Sequence, residues 1–109
     1  MCIEYIGNVL YDKKILQDDI KIVIFGCGIY GKKIAEYLVK KGIKDSIICF
    51  CDSNSALECC DIMGIPVRKP KEICRYYPGA NYLIGGKFSR EMYEELKKNM
   101  IKKIHIIVF

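Results

Sequence analysis

With 109 residues, 51% hydrophobic and 28% charged, the chain is sized and composed for one globular domain around a single core, which excludes a complete enzyme with separate cofactor and catalytic domains. Its formal charge of +5 comes from 18 basic and 13 acidic residues interspersed along the chain rather than gathered in a tail, the pattern of a solvated surface; nucleic acid is not the expected partner. No apolar run approaches the roughly 20 residues of a membrane span, and the N-terminus lacks the charged-then-apolar order of a secretory leader, so a cytoplasmic protein without a membrane span is expected.

Residues 1–20 show no firm periodicity. They are expected to be an N-terminal extension or linker, with a short helix near 12–17, and the domain proper is expected over 21–109. Residues 21–26, KIVIFG, form a β-branched run without polar interruption after Lys21, which suits a strand buried on both faces of a parallel sheet. The period then changes: Ile34, Ala35, Leu38 and Val39 recur at helical spacing over 30–41, Lys32, Lys33, Glu36, Lys40 and Lys41 face away, and Gly42 supplies a stop.

A second apolar run, 47–51, ends in Asp52-Ser53-Asn54, residues suited to a turn or cap. Beyond it the sequence predicts a short helix over 56–61, a short strand at 65–67, and a helix over 71–76 opened by Pro70. Pro78-Gly79 marks a turn before a strand at 81–84 that Gly85-Gly86 ends. Ser89 is placed to cap a helix over 90–100 with Tyr93, Leu96 and Met100 inward, and a last strand is expected at 103–109. This alternation predicts an α/β fold, a three-layer Rossmann-like sandwich with about five parallel strands, right-handed crossovers and the order 3-2-1-4-5.

Gly26-Cys27-Gly28-Ile29-Tyr30-Gly31 matches G-x-G-x-x-G between that buried strand and the amphipathic helix. In this context the first glycine permits the tight turn, the second lets a pyrophosphate approach the backbone, and the third lets helix pack on strand. The helix N–H groups and the positive end of its dipole favour an anion there. Asp52 follows Gly31 by 21 residues, at the end of the second strand, where a carboxylate accepts hydrogen bonds from an adenosine ribose and repels a 2′-phosphate. An NAD-like ligand is therefore favoured over its 2′-phosphorylated counterpart, unless Arg68 and Lys69 fold over the site. The plainer alternatives are a turn that keeps its packing glycines without a ligand, and Asp52 as a helix cap. Gly85, Gly86 and Lys87 form a second glycine-rich end facing the same crevice, with Lys87 a candidate phosphate partner and Ser89 a candidate donor; a plain strand-to-helix turn is the alternative.

The segments VIFGCGIYGKKIAEYL, IICFCDSN, MGIPVRKPKEI and NYLIGG, in that order, resemble the Rossmann-like domain found N-terminal in PglD-type sugar O-acetyltransferases and in polysaccharide-biosynthesis nucleotide-sugar epimerase/dehydratases. Similar modules are attached to glycosyltransferases and methyltransferases. The resemblance covers roughly 21–109. It implies a nucleotide sugar or dinucleotide ligand held at Gly26, Gly28, Ile29, Tyr30, Asp52 and Ser53. The chain departs from that group in carrying no left-handed β-helix repeats and no second catalytic domain, so the resemblance leaves the reaction open.

Other patterns carry less. Tyr-x-x-x-Lys occurs twice, at Tyr93/Lys97 and Tyr37/Lys41, on helices earlier in the fold than short-chain dehydrogenase chemistry requires. The seven cysteines, odd in number and without an export signal, read as reduced thiols. The spacing of Cys49, Cys51, Cys59 and Cys60 does not fit the common zinc motifs, and no metal is expected. Cys27, near a helix N-terminus, is a candidate for oxidation that would block the loop. His105, the single histidine, lies in the last strand away from any nucleophile. The expected function is a nucleotide-binding recognition module linked to surface-polysaccharide or sugar metabolism, working with a catalytic partner domain or as a homo-oligomer. The alternatives are an NAD-dependent oxidoreductase subunit completed by a partner chain, and an interaction module with an empty pocket.

Overall fold

The computed structural model describes residues 3–6, 9–12, 20–54, 61–86 and 88–107. The chain opens with an antiparallel hairpin of β1 (Ile3–Ile6) and β2 (Val9–Asp12), a separate two-stranded sheet. The sequence pattern had not marked it: Asp12, expected to start a helix, ends β2, and 13–17 lie outside the described residues.

The main sheet is built on β3 (Ile22–Phe25), every residue of which is buried. Side chains alternate across a strand, so Ile22 and Ile24 enter one apolar cluster and Val23 and Phe25 the other. Helix α1 (Ile29–Lys40) covers the first face with Gly31, Ile34, Ala35 and Leu38. It ends as Gly42 predicts: at φ +79°, the Gly42 N–H bonds to the Val39 carbonyl at 3.0 Å and the Ile43 N–H to the Leu38 carbonyl at 3.1 Å, a Schellman motif.

A 3-10 turn, Lys44–Ser46, leads to β4 (Ile47–Cys51). Strands β5 (Asp61–Ile62) and β6 (Ile65–Arg68), helix α2 (Pro70–Tyr76), strand β7 (Asn81–Gly85), helix α3 (Ser89–Lys98) and strand β8 (Ile104–Ile107) follow. The sheet order is β5-β6-β4-β3-β7-β8. Its five parallel strands run 3-2-1-4-5 as expected, and β5 adds an antiparallel edge. Helices α2 and α3 bury Ile73, Cys74 and Leu96 against the second face, which completes the three layers. Among the described residues, no helix is long and apolar enough to cross a membrane.

The departures from expectation are local. Asp61 belongs to β5 rather than to a helix over 56–61, whose other residues lie outside the described ones except at that end. The β5–β6 hairpin turns on Met63 and Gly64, both at positive φ, which is the requirement of a two-residue type I′ turn; Met-Gly lacks the usual Asn-Gly signature and hid it. Ser89 is the first residue of α3, not its cap: Phe88 holds the cap position, and among the described residues no side chain caps the helix. On α3, Leu96 is buried as expected and Met92 packs beside it, whereas Tyr93 is exposed and Met100 lies past the helix end, 81% exposed.

Met100 closes α3 in a second Schellman motif. Its N–H reaches the Lys97 carbonyl at 3.0 Å, the Ile101 N–H reaches the Leu96 carbonyl at 3.0 Å, and Ile101 is buried as the motif's apolar contact. Unlike Gly42, Met100 carries a side chain at φ +66°. A side chain in that region costs roughly 1–2 kcal/mol, partly offset in glycine by its greater freedom in the unfolded chain. Met100→Gly is therefore expected to stabilise the domain by about 0.5–1 kcal/mol, since the exposed side chain forfeits no burial. Urea unfolding of the two proteins measures it; an unchanged or lower midpoint would show that the strain is absent.

Candidate functional site

The pairing register levels the C-terminal ends of three central strands. Phe25 pairs with Cys51 on one side and with Ile84 on the other, so the residues that follow each strand share one edge of the sheet. Gly26, Asp52 and Gly85-Gly86 come together there. This is also where the strand order reverses direction, the usual ligand crevice of open α/β sheets.

The three loop glycines have different reasons to be glycine. Gly26 has φ +93° and its N–H bonds to the Cys51 carbonyl at 2.7 Å, while Met92 from α3 would stand 3.2 Å from any Cβ there. At Gly31 a Cβ would overlap the Gly26 carbonyl oxygen and approach its carbon to 2.8 Å, because α1 packs directly on the turn. Gly28 is free of both constraints: its φ is −80°, and among the described residues nothing lies within 4 Å of an added Cβ. Gly28 caps α1, which among the described residues has no side-chain cap and has no acidic residue in its first turn, and Ile29 beside it is exposed. The first N–H groups of a helix have no intrahelical acceptor, and together with the dipole they make this end electropositive.

Asp52 fastens the loop from the side. Its Oδ2 accepts the Cys27 N–H at 3.2 Å and the Cys27 thiol at 3.2 Å, and its Oδ1 accepts the Asn54 N–H at 2.9 Å. Its own N–H bonds to the Arg68 carbonyl at 3.0 Å, so one half-buried residue joins the ends of β4 and β6 to the glycine loop. A carboxylate has about four acceptor positions, so these contacts leave capacity for further donors. Arg68 turns its Nη1 to the Val67 carbonyl at 3.0 Å, and Lys69 is exposed. Cys27 is buried with its thiol directed at Asp52 rather than presented to solvent. Ser53 is exposed, its Oγ donating to Glu95 Oε2 of α3 at 3.5 Å, which puts a second carboxylate beside the crevice.

The second glycine end meets the first through Tyr30. Gly86 has φ +97°, and a Cβ there would fall 2.6 Å from Tyr30 Cδ2 and 3.2 Å from Cγ, so the ring lies on the Gly86 backbone. Gly85 is the buried last residue of β7, and the Ser89 N–H bonds to the Gly86 carbonyl at 3.3 Å. Lys87 lies outside the described residues. The Tyr30–Gly86 and Ser53–Glu95 contacts have no local signature in the sequence; only the folded sheet brings those positions together.

The remaining candidates take structural roles. In both Tyr-x-x-x-Lys pairs the ammonium lies over the ring face, 5.9 Å from the Tyr93 centroid and 5.8 Å from that of Tyr37, rather than beside the hydroxyl. His105 Nε2 meets Asn81 Oδ1 at 2.8 Å across the β7–β8 pair. An open groove lined by Lys71, Arg75, Tyr76 and Asn99 runs along α2, and none of its lining residues belongs to the glycine loop. Among the described residues, no three His, Cys, Asp or Glu side chains are grouped to hold a metal ion; Cys59 and Cys60 lie outside them.

No protein-family model and no curated protein matches the chain. Among solved structures it is similar to UDP-D-quinovosamine 4-dehydrogenase from Vibrio fischeri, with a TM-score of 0.60 and 16% identity over 80% of this chain and 76% of that one. The likeness is one of fold, and it shows the Rossmann-like α/β arrangement.

Beneath the site, Cys49, Cys51 and Cys74 line the second core cluster with Tyr82. Burial pushes the Cys49 thiol from its ordinary 9.0 up to about 12, against a smaller opposing pull from Arg68. It also raises Cys51, Cys74 and the Tyr82 hydroxyl, which donates to the Tyr77 carbonyl at 2.9 Å. A folded pKa above the unfolded one means that the unfolded chain holds fewer protons between the two values, so stability falls as pH rises there. The domain is expected to keep full stability below about pH 9 and to lose it progressively between about 9 and 12. Urea midpoints across this range, with iodoacetamide labelling of the three thiols appearing only as the protein unfolds, are the measurement.

Proposed function

We propose that this Rossmann-like domain binds a nucleotide-containing ligand, a nucleotide sugar or an NAD-like dinucleotide, at the C-terminal edge of its sheet. It acts as a recognition module alongside a catalytic partner domain or a second copy, rather than as a complete enzyme. The observation that carries this reading is Gly28. The fold needs glycine at Gly26 and Gly31, but Gly28 has an ordinary negative φ and, among the described residues, no neighbour where a Cβ would stand. A ligand brought against the backbone at the electropositive end of α1 accounts for its identity.

In this reading the phosphates meet the N–H groups of Ile29, Tyr30 and Gly31. Cys27 does not join them, because its N–H is committed to Asp52. Asp52 accepts ribose hydroxyls with its remaining lone pairs, and Ser53 lies beside it. The paired negative charges of Asp52 and Glu95 disfavour a 2′-phosphate. The likeness to an enzyme whose name specifies a UDP-sugar supports the nucleotide-sugar class.

Gly28→Val is expected to abolish binding of UDP-sugars and NAD in calorimetry while leaving the domain folded, at no more than the modest cost that a branched residue brings to a helix N-cap, because among the described residues nothing stands where the side chain would go. A folded variant that binds as tightly as the native protein would refute the assignment. Asp52→Ala is expected to weaken NAD by roughly ten- to a hundredfold, since each hydrogen bond to a charged group contributes about 1.5–3 kcal/mol and 1.4 kcal/mol is one decade. NADP should lose far less. Because Asp52 also holds Cys27 and Asn54, the variant will melt earlier; the change in the NAD-to-NADP ratio, which a general loosening would not produce, is the deciding quantity.

A further inference from the structure

Dinucleotides bound to this kind of sheet stretch across the point where the strand order reverses, one nucleotide on each side. Here the two sides are unlike. On the β4 side, Gly28 faces open space and Asp52 keeps acceptor capacity. On the β7 side, Tyr30 reaches from the first turn of α1 and lays its ring on Gly86, with Cδ2, Cγ and Cε2 at 2.6, 3.2 and 3.3 Å from where a Cβ would stand. Met92 comes down on Gly26 from α3. Side chains from α1 and α3 thus stand over the glycines that end β7 and β3.

The contact is held from both partners. Gly86 at φ +97° has the backbone conformation and the absent side chain that let a ring come this close. Lys33, one turn along α1, places its ammonium 5.9 Å from the Tyr30 ring centroid. That cation beside the wall favours a ligand ending in negative charge over one continuing into a second nucleoside.

We propose that Tyr30 determines specificity at this site by closing the switch-point crevice, so that the site takes a nucleoside diphosphate moiety and holds nothing beyond its second phosphate. This rests on the nucleotide reading of the glycine loop. A sugar attached to the diphosphate projects into solvent, where a partner reaches it, and the second nucleoside of a dinucleotide makes no contact.

Calorimetry of the native protein with ADP, UDP and NAD, repeated on Tyr30→Ala, tests it. The expected result is that ADP and NAD bind the native protein within about threefold of each other, and that Tyr30→Ala improves NAD relative to ADP by about tenfold or more. Native protein binding NAD more than about tenfold tighter than ADP would overturn the wall while leaving the nucleotide reading intact. Equal native affinities with an unchanged ratio in a folded Tyr30→Ala would remove Tyr30 from the explanation. Failure of all three ligands to bind the native protein would overturn the nucleotide reading and this inference with it. The native comparison decides the first point without any variant.

Discussion

The site depends on how closely α1 approaches the turn that precedes it. Gly31 lies against the Gly26 carbonyl with no room for a side chain, and that contact fixes where the helix begins and the direction in which its electropositive end points. The approach is possible because β3 is buried on both faces and pinned between β4 and β7, so the turn has a rigid base. Asp52 then locks the loop from the neighbouring strand through the Cys27 N–H. A carboxylate used this way serves two ends at once: it shapes the loop, and it sets the sign of the field on one side of the crevice.

Much of this was legible before folding. The run 22–25 and the helical spacing of Ile34, Ala35 and Leu38 define β3 and α1 because burial on two faces and on one stripe leave different periods in a sequence. The position of Asp52 is legible for the same reason: a strand paired in parallel with β3 must end level with it. What could not be read depends on residues in uncharacteristic conformations. Met63 and Met100 occupy positive-φ positions where glycine or asparagine is the usual marker, so a hairpin and a helix end went unmarked or misplaced. Tyr93 and Met92 exchange the expected roles because α3 meets the sheet one residue out of phase with its apolar pattern.

The two core layers differ in kind. The face under α1 is filled mostly by branched aliphatics, with Ala35, Phe50 and a single thiol, Cys27, among them, whereas the face under α2 and α3 carries three thiols and the Tyr82 hydroxyl. Cys74 of α2, a helix only seven residues long, joins Cys49 and Cys51 of β4 in this layer, small polarizable side chains suited to filling it. Strands β3 and β7, whose ends carry the two glycine turns, run between these layers and contribute side chains to both.

The short antiparallel strand β5 has a bearing on how the molecule behaves in a crowded solution. An exposed edge of a parallel sheet is a template on which another chain can add a strand. At this end the template is blunted: β5 is two residues long, it leads into its partner β6 through a tight turn, and Pro66 in that neighbouring strand offers no N–H. A two-residue strand interrupted by a proline opposite it offers a stranger only a short, broken line of backbone donors, a poor template for the addition of a strand from another chain.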